Sequence, residues 1–153
     1  MNEISIVPYN KVYAQSFYDL NNDWISMFWA LEDSDLKDLL NPESSIISKG
    51  GEIFFAISGT EVVGTSAMIL WESNIFEMAK MTVAKNFRGR GISKLLLNRC
   101  IDFARTKSSS RIFLISNDNL TIARSLYDQF GFKEVSLDSQ KYHRGNVKMT
   151  LDL

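Results

Sequence analysis

The fold of this chain is decided by residues 76–103, which read FEMAKMTVAKNFRGRGISKLLLNRCIDF. A largely apolar run of strand length, 76–83, is followed by a polar break, by Gly89 and Gly91, and by a run with helical spacing. Glycine lets backbone amides approach a ligand closely because it has no Cβ. The N-terminus of the following helix supplies N–H donors and about half a unit of positive charge. The stretch therefore predicts an anion-binding turn suited to the diphosphate of a nucleotide-type cofactor.

Basic side chains surround this turn, namely Arg88, Arg90 and Lys94. The whole chain has a formal net charge of -1 and an isoelectric point of about 5.8. Because no overall positive field exists, the sequence predicts neither a nucleic-acid partner nor binding to an anionic membrane. The basic group is thus a local feature of the turn.

Length and composition predict one domain over residues 1–153, with 45% hydrophobic and 23% charged residues, as in ordinary soluble proteins. The single cysteine, Cys100, excludes an intrachain disulfide and a cysteine metal cluster. The single histidine, His143, excludes a multi-histidine site, so we expect no metal. The first residues lack the apolar core of a signal peptide, and no run reaches membrane length. We therefore expect a cytoplasmic protein.

Hydrophobic periodicity predicts the order β-α-α-β-β-β-α-β-α-β-β, a mixed sheet with helices on its faces, which is an α/β (α+β) fold. Asp33 or Ser34 is the expected N-cap of the second helix, Thr121 that of the last, and Gly131 the residue that ends it. The predicted strands are 3–8, 53–57, 62–71, 76–83, 111–116, 132–137 and 147–152, and the predicted helices are 10–31, 33–40, 91–105 and 121–130.

An aromatic stripe runs along the first predicted helix at three- and four-residue spacing. Such a stripe ordinarily packs into the core. Its C-terminal end, Trp24 and Phe28, has a second interpretation as the wall of a substrate pocket. Both interpretations stay open from the sequence.

The glycine turn alone is a weak signal. No glycine-Lys-Ser/Thr ending of the Walker type occurs, and Lys94 stands where the dinucleotide pattern requires a third glycine. A plain strand-to-helix turn remains an alternative on this evidence.

Three residues of this stretch occupy the positions of a family motif. Arg88, Gly91 and Ser93, preceded by Val83 at the strand end, resemble motif A of the GNAT superfamily of N-acetyltransferases, Gln/Arg-x-x-Gly-x-Gly/Ala. Ser93 departs from Gly/Ala, but serine is small and keeps its N–H, so we expect the anion-binding turn to be preserved.

A second motif lies where the family needs it. Residues 123–132 read ARSLYDQFGF and look like the family's Ala-x-x-Leu-Tyr-x-x-x-Gly-Phe, with Tyr127 in the tyrosine position. The resemblance covers nearly the whole chain and implies a mixed, mainly antiparallel central sheet flanked by helices.

The resemblance implies acetyl-CoA as co-substrate. Family members often carry Asn seven residues before the tyrosine, and here that position is Leu120. Asn119 is the nearest match, and Asn117 is an alternative pantetheine contact. The implied donor-binding residues are Met81, Val83, Arg88, Gly89, Arg90, Gly91, Ile92, Ser93 and Asn119.

The resemblance also implies direct attack of a primary amine on the thioester. Tyr127 suits protonation of the leaving thiolate. Glu77 is the candidate general base, directly or through water, because its position six residues before Val83 resembles that of the catalytic glutamate in histone-type family members. A carboxylate in an apolar strand is costly unless paired or functional, so an ion pair or an exposed edge position is the alternative. A backbone N–H near Val83 is the expected oxyanion donor, where the strand would splay to admit pantetheine. Strand parity predicts that Glu77 faces the same side as Met81 and Val83.

The acceptor is not named by the sequence and is expected to be a small-molecule or protein amine. Arg144, in a loop with Tyr142 and His143, is either a binder of an acceptor carboxylate or a solvated loop residue. The alternative functions are a non-catalytic acyl-CoA-binding sensor or docking module, and a site for a different nucleotide. Oligomeric state stays open, and a homodimer is the commonest arrangement.

Overall fold

The computed structural model describes residues 3–137 and 145–153. Within these ranges the elements follow the predicted order, which confirms the α/β fold. They are β1 (Ile4–Pro8), α1 (Ala14–Ile25), α2 (Asp33–Leu40), β2 (Glu52–Ser58), β3 (Glu61–Leu70), β4 (Phe76–Val83), α3 (Ile92–Thr106), β5 (Arg111–Ser116), α4 (Thr121–Gln129), β6 (Lys133–Val135) and β7 (Val147–Asp152).

The strands form one mixed sheet in the order β1-β2-β3-β4-β5-β7-β6. The pairing of β4 with β5 is parallel, and the other pairings in the described ranges are antiparallel. One core cluster lies between the sheet and α3, and a second lies between the sheet and α1–α2. Both faces are therefore covered, as the apolar strand runs predict.

The strands β4 and β5 separate along their length. In the part of the chain that the structure describes, they pair at Phe76–Ile112 and Glu77–Phe113, at their N-terminal ends. Beyond these two pairs a gap opens between the strands in the middle of the sheet. This confirms the predicted splay, since two strands that no longer pair leave an opening between them.

A β-bulge interrupts β4. Thr65 of β3 faces Thr82, whereas Ala67 faces Ala79, so that one residue of β3 stands opposite two of β4. The backbone of Lys80, with φ of 57°, absorbs the extra residue.

The bulge overturns one prediction. Glu77 lies opposite Ile69, on the face that packs toward α1 and α2. Met81 and Val83 pack instead into the cluster under α3. The expectation that Glu77 shares a face with these two residues was wrong, because a bulge reverses the alternation of side chains.

The helix that follows the glycine turn lies close to the sheet at Gly64. A Cβ built at Gly64 would approach Ile92 and Leu96 side-chain carbons to 3.3 Å. This glycine therefore allows α3 to pack tightly on β3.

Several boundaries differ from the prediction. The first helix ends at Ile25 and not at residue 31, and β6 is shorter than predicted. Glu32 is the N-cap of α2, with a reciprocal capping box to Asp35, so neither Asp33 nor Ser34 is the cap. Leu120 occupies the N-cap position of α4 without a side-chain hydrogen bond, in place of Thr121. Gly131, with φ of 93°, ends that helix as predicted.

Candidate active site

A cavity of roughly 900 Å³ opens where β4 and β5 separate. Its walls are the end of α1, the strand β4, the glycine turn, the end of β5 and the helix α4. Such a volume lies in the range of small-molecule sites. The cavity thus brings together the two motifs that lie far apart in the sequence.

The glycine turn forms one end of the cavity. Gly89 and Gly91 have φ of 77° and 79°, a left-handed conformation that suits glycine. A Cβ built at either position meets nothing within 4 Å, so the backbone here borders open space. Gly91 is the N-cap of α3, and the N–H groups of the first helical turn have no earlier carbonyl to bind. These donors at a helix N-terminus fit a phosphate group, which agrees with the predicted anion site.

The two motif arginines have different environments. Arg88 lines the cavity, and its Nε donates a hydrogen bond to the carbonyl oxygen of Val83 across 3.0 Å. Arg90 lies outside the cavity lining, with its guanidinium 4.8 Å above the ring of Phe87. Gly89, Gly91, Ile92 and Ser93 all line the cavity.

The strand β4 forms the floor of the site. Met81 and Val83 line the cavity from the half of the strand beyond the bulge. Glu77 also lines it and is buried, 1% exposed. The indole N–H of Trp71 donates to Oε1 of Glu77 across 3.2 Å. Glu77 therefore shares one cavity with Met81 and Val83, although these two residues occupy the other face of the sheet.

A buried ion pair beside the site escaped the sequence analysis. Lys80 lines the cavity, and its Nζ lies 2.7 Å from Oδ1 of Asp35. The two side chains are 2% and 0% exposed. Lys80 is a charge within an apolar strand, as Glu77 is, and the argument that singled out Glu77 applied to Lys80 equally.

Tyr127 projects from α4 into the opposite wall of the cavity. Its ring packs on Phe132 with centroids 5.9 Å apart. Burial, and secondarily the neighbouring Cys100, raises the pKa of Tyr127 to about 12. The phenol consequently keeps its proton throughout the neutral range.

Both candidate asparagines lie in the turn between β5 and α4 and line the cavity. Oδ1 of Asn117 accepts the backbone N–H of Asn119 across 2.9 Å, which folds the turn. Asn119 is exposed. The structure thus brings both residues to the site and gives Asn117 an additional role in the turn.

The aromatic end of α1 enters the cavity differently from the prediction. Trp24 lines it, but Phe28 is 67% exposed and lies outside the lining, because the helix has already ended at Ile25. Trp29 takes its place against Trp24. Arg144, Tyr142 and His143 lie outside the described residues.

A profile of the acetyltransferase (GNAT) family matches residues 9–132. The chain belongs to this family. The match confirms the resemblance drawn from the two motifs, and with it the expectation of an enzyme of the acetyltransferase class.

Relatives and solved structures agree with the family assignment. N-acetylaspartate synthetase of Xenopus tropicalis is 32% identical over 102 residues, which are 65% of this chain and 38% of that protein. The chain spans well under half the length of the N-acetylaspartate synthetases that it matches.

An acetyltransferase of the GNAT family from Staphylococcus aureus Mu50 superposes with a TM-score of 0.90 at 26% identity, covering 98% of this chain and 99% of that one. A GNAT family acetyltransferase from Elizabethkingia anophelis with acetyl-CoA bound shares the fold, with a TM-score of 0.74 at 20% identity and full coverage of both chains.

The described residues contain no helix that combines the length and apolar character needed to cross a membrane. The same residues hold no group of three or more His, Cys, Asp or Glu side chains arranged to bind a metal ion.

Proposed function

We propose that this chain is an N-acetyltransferase that moves the acetyl group of acetyl-CoA to a primary amine by direct attack. The observation that carries the proposal is the separation of β4 from β5, which opens one cavity to Glu77 from β4 and to Tyr127 from α4. The family assignment supplies the reaction class. The proposal treats residues 1–153 as one catalytic domain in the cytoplasm, and leaves open whether it works as a homodimer.

Acetyl-CoA is the proposed donor because the glycine turn suits its diphosphate. The turn offers N–H donors of the first turn of α3, next to the cationic side chains of Arg88 and Lys94. The open space around Gly89 and Gly91 leaves room for phosphate groups against the backbone. The pantetheine arm would follow the gap between the strands, past Met81, Val83 and Asn119.

Three proton and charge tasks remain for the residues of the site. Glu77, directly or through water, takes the proton from the attacking ammonium so that the neutral amine forms the new C–N bond. A backbone N–H of β4 near Val83, at the unpaired edge of the strand, stabilises the oxyanion. As the C–S bond breaks, Tyr127 gives its proton to the leaving thiolate, and the second proton that the nitrogen loses on becoming an amide returns to the phenolate of Tyr127 through water.

Direct attack is favoured over an acetylated enzyme by the state of the lone cysteine. Cys100 is fully buried in the core beneath α3, and burial raises the pKa of its thiol to about 12. A protonated and inaccessible thiol is a poor nucleophile. We therefore expect initial rates that fit a ternary complex, with intersecting double-reciprocal lines, whereas parallel lines would indicate an acetylated intermediate.

The test of the function is the Tyr127→Phe variant, assayed by thiol release with acetyl-CoA and an accepted amine. We expect kcat to fall by about a hundredfold, within the usual contribution of general acid catalysis, while CoA still binds. Tyr13→Phe is the matched control, because Tyr13 packs on Phe55 in the cluster under α1 and α2. Unchanged turnover in Tyr127→Phe would remove Tyr127 as the acid.

CoA binding is measured separately by calorimetry. If CoA binds but no amine in a broad panel releases thiol, the chain is a non-catalytic acyl-CoA-binding module. If CoA does not bind at all, the glycine turn is not a donor site, and Ser93 is the first position to examine.

A further inference from the structure

The α1 side of the cavity is walled by two indoles. Trp24 from the last turn of α1 and Trp29 from the segment after it both line the cavity. Their ring centroids lie 5.7 Å apart at an interplanar angle of 47°. Phe28 packs edge-on against Trp29 at 5.6 Å. The two indoles consequently form one continuous aromatic surface inside the cavity, supported from outside by a third ring.

Charges in the same part of the cavity favour a cationic acceptor. Glu77 lines it with a carboxylate. Lys80 lines it too, but its ammonium is held 2.7 Å from the buried carboxylate of Asp35. An ammonium group is attracted by the carboxylate of Glu77.

The remaining cationic side chains among the described lining residues lie at the end of the cavity that is formed by the glycine turn. Arg88 and Lys94 flank the glycine turn, where the donor's phosphates are proposed to lie. In the described ranges, the acceptor side therefore combines aromatic area with the carboxylate of Glu77. That combination suits an amine on a flat or apolar body.

We propose that the acceptor is an arylalkylamine, a primary amine joined by a short aliphatic link to an aromatic ring. The ring lies against the Trp24–Trp29 wall, and the ammonium lies toward Glu77. This orientation follows from the chemistry, because the group that must lose a proton has to face the carboxylate. The inference rests on the proposed function and names the substrate class of that site. It departs from the relatives whose name specifies aspartate.

The experiment compares four acceptors at saturating acetyl-CoA by thiol release: 2-phenylethylamine, ethylamine, aspartate and spermidine. We expect kcat/KM for 2-phenylethylamine to exceed that for ethylamine by about tenfold or more, mainly through a lower KM, because ring contact adds binding energy. Aspartate is expected to be the poorest of the four acceptors, since it brings two carboxylates beside Glu77.

Variants of the wall test its role directly. In Trp24→Ala and Trp29→Ala we expect the ratio of kcat/KM between 2-phenylethylamine and ethylamine to fall toward one. Met27→Ala is the matched control, because Met27 lies between the two tryptophans in sequence, is 54% exposed and lies outside the cavity lining. In Met27→Ala we expect the ratio of kcat/KM between 2-phenylethylamine and ethylamine to stay at the wild-type value. Calorimetry of 2-phenylethylamine with the CoA complex checks binding, and Trp29→Leu repeats the test if an alanine variant does not fold.

The outcomes separate this inference from the function beneath it. A preference for aspartate or spermidine, or equal ratios in wild type and both wall variants, would overturn the arylalkylamine class while leaving an N-acetyltransferase. Turnover of none of the four amines would overturn the arylalkylamine class, and the proposed function would fail with it only if a broad panel of amines also released no thiol while CoA still bound.

Discussion

The indole N–H of Trp71 donates a hydrogen bond to Oε1 of Glu77 across 3.2 Å, where β4 is still paired with β5. Trp71 follows β3 and packs edge-on against Phe113, the residue that pairs with Glu77 in the sheet. One carboxylate oxygen of Glu77 is thereby held by a side chain that directly follows β3. We interpret Trp71 as a positioning residue for the proposed base.

Trp71→Phe should lower kcat about tenfold with little change in CoA affinity. Phenylalanine keeps a ring against Phe113 but has no N–H donor, and a hydrogen bond to a charged group contributes roughly 1.5–3 kcal/mol. The measurement is steady-state kinetics of Trp71→Phe, Glu77→Gln and the double variant. If Trp71 acts through Glu77, adding Trp71→Phe to the Glu77→Gln variant should lower kcat little further. Fully additive losses would mean that Trp71 contributes only to the fold.

The ion pair of Lys80 with Asp35 joins α2 to the bulge in β4 and should be essential for stability. Asp35→Asn leaves a buried ammonium without its carboxylate, which typically costs about 3–5 kcal/mol. Asp33→Asn is the matched control, because Asp33 is exposed in the same first helical turn. This substitution should lower the free energy of unfolding by less than about 1 kcal/mol. Urea unfolding of both variants gives the comparison. Equal losses of unfolding free energy in the two variants would show that the ion pair of Lys80 with Asp35 adds no stability beyond that of a negative charge at the helix N-terminus.

The elements that could be predicted from sequence are those whose cause is local. The strand β4 ends at Val83 as predicted because an apolar run meets a polar break there. Gly89 and Gly91 adopt the left-handed conformation that glycine favours, and α3 starts immediately after them. Tyr127 reaches the cavity because the helical period and the ending at Gly131 fix its direction.

The features that escaped prediction depend on contacts between distant parts of the chain. The bulge at Lys80 is visible only in the register of β3 against β4, and it moved Glu77 to a different face from Met81. The partner of Lys80 is Asp35, 45 residues away in the sequence. Aromatic periodicity continued past Ile25, so it could not reveal that Trp29, and not Phe28, would face the cavity.

Cys100 should be unreactive in the folded protein. Its side chain is 0% exposed, and burial raises its thiol pKa to about 12, so only about one molecule in ten thousand carries a thiolate at pH 8. We expect labelling by a disulfide reagent at pH 8 to be at least about a thousandfold slower than in concentrated urea. Stoichiometric labelling of the native protein within minutes would contradict this burial. A slow reaction also means that the thiol-release assay reports CoA alone.

Tyr127 should make stability fall at alkaline pH. Its pKa is raised from 10.0 to about 12, first by burial and then by Cys100. Between these two values the unfolded chain has lost a proton that the folded protein keeps, so the contribution is complete below pH 10 and is lost as pH rises toward 12. In this window the free energy of unfolding of wild type should fall faster than that of Tyr127→Phe, by up to about 1.4 kcal/mol per pH unit.

Urea unfolding of wild type and Tyr127→Phe at pH 8, 10 and 11 measures this difference. The pKa of Cys100 is raised in the same direction, so the pair of proteins is also compared in a Cys100→Ala background. We expect the gap between the two proteins to be constant from pH 8 to about pH 9.5 and to change only above it. Parallel curves through pH 11 in both backgrounds would mean that the phenol ionises as easily in the folded protein as in the unfolded chain. Tyr127 would then be a solvated side chain, which contradicts its burial in the cavity wall.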